Sequence, residues 1–420
     1  MNTQKIDKIL LNKYFGMPIF ILILCIMFFT TFVVGSYPVE WIDAFFGLLK
    51  NLFDSVLNDG IIKELINDGI LPGVGLVLSF LPNVIILFFC ISLMDATGYM
   101  ARVALLMNNF MKLFGLSGNS VVFLLMGFGC NVPAILTANT IKNKREKILT
   151  ILLIPFMSCL GRLPVYVLIT GMLFSKLEGV LVLILLYLLG VLLAILFSIL
   201  FRNNTSNNPY NITKNVPNDI ILPEYKMPKY KTLLKKVGYE AGDYLKKIFT
   251  VLLIASVIIW VLEAFPKVDP DNQTSQIEYS YIGRIGKKIE PILSPLGFDW
   301  RMSVALITGI AAKEAAVSSM GVLFSSKSYE KDCDNKPFSE QLKNAKYTTG
   351  EKKGEKIFTI PVGLTFMVFF LIYFPCVSVF ITIKKVVGKK QAALIGMFTI
   401  LAAYFVAFIV KIICDIIFAI

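Results

Sequence analysis

Thiol and amide side chains lie inside an apolar segment at a place where the sequence disfavours a helix. Cys130 and Asn131 stand between Gly129 and Pro133, and Gly127 precedes them. Unpaired backbone N–H and C=O groups are costly in hydrocarbon, so a broken helix at membrane depth is tolerated only where it lines a protein-enclosed cavity. A thiol and an amide oxygen can bind a borderline metal ion, whereas a free cysteine can also be a small apolar filler. We interpret Cys130 and Asn131 as candidate ligands, with packing as the alternative for the cysteine, and the glycines and proline as structural or gating residues.

A second polar interruption and two further cysteines have the same character. Lys313 and Glu314 lie side by side within another apolar segment. Charged residues at membrane depth are costly unless they are paired or hydrated, so both are functional candidates. The alternative is a structural pair in which Lys313 neutralises an acid. Cys159 lies shortly after a proline and Cys376 directly follows Pro375, so we expect both thiols to line the same path as Glu314, with Lys313 and Pro375 in structural or gating roles.

Two more polar residues, Asp95 and Arg162, are candidates for roles at the site. Asp95 is either a metal ligand at an inner mouth or the cap of the helix that follows it. Arg162 is expected to donate hydrogen bonds to backbone carbonyls that a helix break leaves unpaired. Cys25, Cys90 and Cys414 lie in unbroken apolar runs, so we interpret them as packing residues.

The composition places these residues in a membrane protein. Hydrophobic residues make up 56% of the 420 residues, charged residues only 16%, and the mean hydropathy is +0.73. Several runs approach the ~20 apolar residues that cross a bilayer. The fold class is therefore predicted to be all-α, polytopic and membrane-spanning, with the lipid bilayer as its main partner.

Residue types that are absent narrow the chemistry. The sequence has no histidine and no CxxC pair, so a structural zinc site and a disulfide framework are not expected. No nucleophile–base constellation is visible, which argues against an enzyme. The net charge of +13 comes largely from lysines in short loops beside apolar runs, as the positive-inside tendency predicts, and does not indicate nucleic-acid binding.

Charge distribution also predicts a topology. Lysines before the first span place the amino terminus in the cytoplasm, and residues 36–68, which are acidic and amphipathic, are expected to form an external surface helix. If the segment 120–138 crossed the membrane fully, the basic cluster at 142–147 would lie outside. We therefore predict that this segment enters, breaks and returns, and that the segment 302–323 does the same.

The two halves of the chain resemble each other. The segment Gly115–Gly127 aligns with Gly297–Gly309, and the same register pairs Cys130 with Ala312 and Asn131 with Lys313. Each half contains a span, a broken segment and two spans, so the repeats would have inverted orientation, as in transporters that bind substrate near the midplane. The predicted domains are an N-terminal span with the external helix (1–70), a first repeat (71–201), a cytoplasmic linker (202–245) and a second repeat (246–420).

Several motifs, in order along nearly the whole chain, resemble those of one family. They are Leu93-Met-Asp-Ala-Thr-Gly-Tyr-Met-Ala-Arg102, Gly127-Phe-Gly-Cys-Asn-Val-Pro-Ala134, Pro155-Phe-Met-Ser-Cys-Leu-Gly-Arg162, Leu222-Pro-Glu-Tyr-Lys-Met-Pro228, Ala312-Lys-Glu314 and Pro375-Cys376. The chain resembles the membrane domain of the prokaryotic ferrous-iron transporter B family, which contains two Gate repeats joined by a linker. The resemblance implies a multi-pass importer of Fe²⁺ in the inner membrane of a prokaryote, with Cys130 and Cys376 as translocation cysteines.

The resemblance also implies partners and shows three departures. No Gly-x-x-x-x-Gly-Lys-Ser/Thr sequence is present, so we expect the family's GTPase to be supplied elsewhere, with a small accessory protein as a further partner. Met94 replaces an acidic residue of the family and Asn139 replaces an arginine, which leaves metal preference and coupling open. No permanently bound cofactor is expected, since Fe²⁺ or another divalent ion is the substrate, and homo-oligomer formation is left open. The alternative is a Gate-type permease for a nucleoside-like solute, or a membrane scaffold without metal transport.

Overall fold

The computed structural model describes residues 7–8, 10–12, 14–56, 60–203, 225, 230–267, 276–324, 342–343, 345–347 and 354–418. Within these ranges regular structure is helical, and β pairing is limited to one isolated bridge between Lys346 and Lys356. The all-α prediction is therefore confirmed. Most of the predicted linker motif at 222–228 lies outside the described residues, and Tyr225 is its described member.

The helices follow one another along the chain in the order below. In the first part they are α1 Gly16–Val56, α2 Ile61–Glu64, a π-helical turn Leu65–Ile70, α3 Leu71–Ala96, α4 Tyr99–Lys112, α5 Gly118–Gly129, α6 Asn131–Ala138, α7 Lys144–Leu153, α8 Leu163–Leu173, α9 Lys176–Asn203 and α10 Tyr230–Ala264. The later ones are α11 Gln276–Tyr279, α12 Tyr281–Leu293, α13 Trp300–Ala311, α14 Ala315–Phe324, α15 Ile360–Ile372, α16 Val377–Val387 and α17 Lys389–Phe418.

Several helical stretches have the length and composition to cross a membrane. In the described residues they are Gly16–Val56, Lys144–Leu173, Lys176–Phe201, Ile360–Val387 and Lys389–Ile417. A sixth candidate is the pair Leu81–Ala96 and Tyr99–Lys112, which is bent by 80°. The predicted multi-pass membrane character is confirmed, while the inverted orientation of the repeats stays a prediction.

The first helix is longer than the sequence pattern predicts. Instead of a span followed by a separate surface helix, α1 continues without interruption to Val56, although Pro38 lies within it. The acidic segment has no glycine-rich turn to end the helix, and α1 packs along α3. Gly35 allows this packing, because a Cβ there would lie within 1.8 Å of Asn83 Oδ1.

The chain divides into two compact units. Unit 1 contains residues 1–157 and 192–253, and unit 2 contains residues 158–191 and 254–420. Residues 158–191, which the sequence assigns to the first repeat, thus pack with the second half of the chain. The predicted repeat boundaries remain predictions.

Aromatic side chains build much of the interior of unit 2. The ring of Phe298 packs edge-on against Phe366 and Phe369, and Phe366 stacks on Phe370. Tyr373 follows on the same helical face, with its ring centroid 5.2 Å from that of Phe370. This packing fixes the carboxyl end of α15, beside which the candidate site lies.

Candidate ion-binding site

The break predicted at Cys130 is present in unit 1. Helix α5 ends at Gly129 and α6 begins at Asn131, and Cys130 between them has extended backbone angles, φ −150° and ψ 127°. Gly129 packs directly against Leu87, and a Cβ at this position would force the Leu87 side chain to shift. The sequence therefore breaks the helix where close packing and an extended residue coincide.

The residues around this break are enclosed. Gly127 and Pro133 are buried, and Cys130 is partly exposed. Asn131 is 4% exposed, and its Oδ1 has no hydrogen-bond partner among the described residues. A buried amide oxygen without a partner carries a desolvation cost that an ion or a water molecule can relieve.

The second predicted break lies in unit 2. Helix α13 ends at Ala311, Ala312 is extended with φ −144° and ψ 130°, and Lys313 and Glu314 form a turn before α14 begins. Because the turn leaves the helix, both charged side chains start from irregular backbone at the centre of an apolar segment.

Lys313 is buried against the third break. It is 4% exposed, and its ammonium donates a hydrogen bond of 2.8 Å to the Phe374 carbonyl. The Nζ atom also lies 3.3 Å from the Tyr373 ring centroid. Within the described part of the chain Lys313 forms no salt bridge, so the structural-pair alternative is not what the geometry shows.

The third break separates α15 from α16. Tyr373 and Phe374 lie outside both helices, Pro375 is buried, and Cys376 is the N-cap residue of α16. Proline supplies no N–H, which favours a helix end there. The Tyr373 hydroxyl donates to the Leu306 carbonyl at 3.3 Å, which ties this break to α13.

Cys159 and Arg162 lie in a further irregular stretch of unit 2. Cys159 is extended and precedes a 3₁₀ turn, Leu160–Arg162. In that turn Gly161 faces the acid, because a Cβ on Gly161 would lie 2.9 Å from Glu314 Oε2. Arg162 is 1% exposed and lies within electrostatic range of Lys313.

The second and third breaks and the irregular stretch around Cys159 thus bring together, in unit 2, groups that are far apart in sequence. Cys376 lies within electrostatic range of Cys159, Lys313 and Glu314. The Ser378 hydroxyl, buried just after the third break, has no hydrogen-bond partner in the described residues. We call Cys159, Glu314 and Cys376 the thiol–carboxylate cluster.

The chemistry of this cluster suits transient cation binding. Thiolate and carboxylate groups together bind borderline divalent ions, and irregular carbonyls can add oxygen ligands. No group of three or more Cys, Asp or Glu side chains in the described residues is arranged to hold a metal ion. The Lys313 ammonium lies among these candidate ligands instead.

The other predicted site residues belong to unit 1. Cys130 and Asn131 occupy the first break, and Asp95 is exposed near the end of α3. The N-cap residue of α4 is Gly98. Both interpretations of Asp95, metal ligand or helix cap, remain predictions.

The sequence analysis missed two buried polar networks in unit 1. Arg102 donates to Asp7 Oδ1 at 3.0 Å, and the Tyr225 hydroxyl donates to the same oxygen at 2.9 Å. Glu146 accepts from the Ser117 N–H at 2.9 Å and the Ser120 hydroxyl at 2.8 Å. In the sequence, Arg102 is only the last residue of the Leu93–Arg102 motif and Glu146 lies within the basic cluster 142–147, so neither indicates a buried network.

Tyr373 was missed in unit 2. Its position beside the Pro375-Cys376 pair was the available signal. The ring instead lies under the Lys313 ammonium.

Comparison with known proteins gives a consistent picture. The chain is 39% identical over 440 aligned residues to the Fe(2+) transport protein A/Fe(2+) transporter FeoB fusion protein of Porphyromonas gingivalis, covering 97% of this chain and 51% of that protein. It is 39% identical over 421 residues to the Fe(2+) transporter FeoB of Campylobacter jejuni, covering 97% and 64%. With the Fe(2+) transporter FeoB of Methanocaldococcus jannaschii the identity is 35% over 430 residues, covering 99% and 59%.

These matches confirm the resemblance that the motifs indicate. The chain spans between about half and two thirds of the length of these curated relatives. No solved structure matches it. The Gate family, described as nucleoside recognition, matches residues 77–173 and 245–390, which include Asp95 and all three breaks. The chain therefore belongs to the Gate family.

Proposed function

We propose that this chain is the membrane permease of a divalent-metal uptake system in a prokaryotic inner membrane, and that Fe²⁺ is its substrate. The observation that carries the proposal is the thiol–carboxylate cluster of Cys159, Glu314 and Cys376 at helix breaks in unit 2. Irregular backbone at membrane depth is tolerated where it lines a cavity or path, and intramembrane acids mark ion routes.

The types of ligand favour transient binding of a transported ion over permanent binding of a structural ion. Conduction requires binding that is favourable enough for entry and weak enough for exit. Two thiols and one carboxylate on separate breaks supply ligands that can engage in succession. In unit 1, the Cys130 thiol and Asn131 Oδ1, which has no hydrogen-bond partner in the described residues, provide a further transient binding site of the same kind.

The names of the similar proteins support Fe²⁺ over other divalent ions, since each is described as a Fe(2+) transporter or a fusion containing one. The 420 residues contain no Gly-x-x-x-x-Gly-Lys-Ser/Thr sequence. We propose that a GTPase activity outside these residues drives the cycle, assisted by a small accessory protein. We also propose that the amino terminus is cytoplasmic, because lysines precede the first span.

Transport into proteoliposomes tests the proposal. Vesicles containing the chain and an internal fluorescent chelator receive Fe²⁺ kept reduced by ascorbate, with a downhill gradient as the driving force. The wild type is expected to admit Fe²⁺ faster than empty vesicles. Cys376→Ala and Glu314→Gln are expected to lose most of that flux, because each removes one ligand of the cluster.

Matched controls separate the cluster from general damage. Cys414→Ala removes a buried thiol of α17, and Glu278→Gln removes an acid that pairs with Lys287 outside the breaks. Both are expected to keep wild-type flux. Equal Fe²⁺ flux in wild type, Cys376→Ala and Glu314→Gln would contradict the proposal.

The second candidate is a nucleoside-like solute permease, and the description of the Gate family as nucleoside recognition favours it. The same vesicles discriminate the two candidates. Uptake of radiolabelled uridine without Fe²⁺ flux would support this candidate, and Fe²⁺ flux that excess uridine leaves unchanged would exclude it.

A further inference from the structure

The Lys313 ammonium occupies an environment that is typical of a bound cation. Its close partners in the described residues are the Phe374 carbonyl oxygen at 2.8 Å and the Tyr373 ring, whose centroid is 3.3 Å from Nζ. The Phe370 ring follows at 5.2 Å. Carbonyl oxygens and aromatic faces are the neutral groups with which proteins hold desolvated cations.

Contacts other than those with Lys313 position these partners. Phe374 lies between α15 and α16, so its carbonyl is outside the regular hydrogen bonding of either helix. Tyr373 is fixed by its hydrogen bond to Leu306 and by stacking on Phe369. Gly309 lets the ring approach α13, since a Cβ there would lie 2.5 Å from Tyr373 Oη.

A structural role alone explains this arrangement poorly. Burying an ammonium is costly, and Lys313 has no carboxylate within salt-bridge distance in the described residues. A second cation, Arg162, lies within its electrostatic range. A protonated Lys313 would place positive charge beside the thiol–carboxylate cluster, where it would oppose any other cation.

We propose that Lys313 is a tethered cation that occupies the Phe374–Tyr373 site beside the thiol–carboxylate cluster and must be displaced when a divalent ion binds the cluster. The inference rests on the proposed function. Lys313 lies in the turn between α13 and α14, so its side chain can leave without unwinding a helix. Displacement makes metal binding weaker at rest, and it returns the ammonium to the carbonyl when the metal leaves.

Equilibrium binding tests this displacement in the full chain. Calorimetry in detergent measures the Kd of Co²⁺, an air-stable divalent probe, for wild type and Lys313→Met. The methionine keeps the length of the side chain and removes its charge, so Co²⁺ is expected to bind about tenfold more tightly or better, since like-charge repulsion is strong in a protein interior. A residue that only braces the fold would weaken binding when it is lost.

Lys287→Met is the matched control. Lys287 also lies over an aromatic ring, that of Trp300 at 5.7 Å, and it pairs with Glu278 rather than with a helix break. Its loss is expected to leave the Co²⁺ Kd unchanged. An unchanged or weaker Kd in Lys313→Met, with wild-type binding intact, would overturn this inference alone; no Co²⁺ binding by either protein would overturn the proposed function with it.

A second measurement uses the wild type and so does not depend on how the variant folds. Reductive methylation with labelled formaldehyde modifies accessible lysines, and mass spectrometry reports each position. Saturating Co²⁺ is expected to increase methylation of Lys313 several-fold and to leave Lys287 unchanged. Methylation of Lys313 that Co²⁺ leaves unchanged or lowers would contradict displacement.

Discussion

Cys130 and Ala312 have almost the same extended backbone conformation, with φ/ψ of −150°/127° and −144°/130°. Each directly follows a helix of 12 residues, Gly118–Gly129 or Trp300–Ala311. The sequence alignment of the two halves pairs the same two residues. The first half of the chain therefore has a thiol at its break and an amide directly after it, while the second half has Lys313 and Glu314 directly after its break.

The inverted arrangement predicts on which side each basic cluster lies. Residues 142–147 and 384–390 are both expected to face the cytoplasm, because each follows an inward return in the re-entrant scheme. Single cysteines introduced at Lys144 and Lys389, in a chain whose native cysteines are replaced, should react with a membrane-impermeant maleimide only after the cell is opened. Labelling of the first cluster in intact cells would contradict the scheme.

Gly161→Ala is expected to impair metal binding while leaving the fold intact. The added Cβ would lie 2.9 Å from Glu314 Oε2, so the carboxylate must move away from the cluster. Weakening one charged ligand by about 1.4 kcal/mol corresponds to about tenfold in Kd. Co²⁺ calorimetry measures the effect, and Gly171→Ala is the control, because nothing lies within 4 Å of its Cβ position.

Asp7→Asn is expected to destabilise unit 1 at neutral pH by about 2 kcal/mol, a typical value for hydrogen bonds to a charged group. The hydrogen bond from Arg102 holds the pKa of the Asp7 carboxyl below its ordinary value of 3.8. A lowered folded-state pKa contributes stability that is present above the ordinary value and is lost as the pH falls through the lowered one. The difference in melting temperature between wild type and variant should therefore shrink below pH 4 or so.

The control for this pH dependence is Asp68→Asn. Asp68 faces Lys50 at 3.5 Å, and both side chains are about half exposed. Exposed pairs contribute roughly 0–1 kcal/mol, so little change is expected. Equal melting temperatures of wild type and Asp7→Asn at pH 7 would show that the Arg102 contact adds nothing to stability.

Glu146→Leu is expected to cost about 2–3 kcal/mol, because it leaves the Ser117 N–H and the Ser120 hydroxyl without their acceptor. Glu146→Gln retains an acceptor oxygen and should cost less. Chemical denaturation in detergent ranks the variants. A Leu variant as stable as the wild type would mean that water replaces the carboxylate.

Local signals explain what could be predicted from the sequence. Glycine, proline and cysteine within a few residues of one another marked the break at Cys130, and adjacent charges marked the break at Lys313. The partner of Lys313 could not be predicted, because Phe374 lies 61 residues away and its carbonyl carries no sequence signal. The Arg102–Asp7 contact, 95 residues apart, was missed for the same reason.

The division of the helices into two units also could not be predicted from the spacing of apolar residues in the sequence. Residues 158–191 are apolar on most sides, so the sequence could not indicate that they pack with residues 254–420. The sequence also could not indicate that α1 continues past Gly35. An acidic amphipathic stretch has the same residue pattern whether it extends a membrane span or begins a new helix.

That continuous α1 has a mechanical consequence. Its 41 residues extend about 60 Å at the usual rise per residue, roughly twice the hydrocarbon thickness. A helix of this length transmits a tilt applied at one membrane face to the opposite face, and it bends most easily at Pro38.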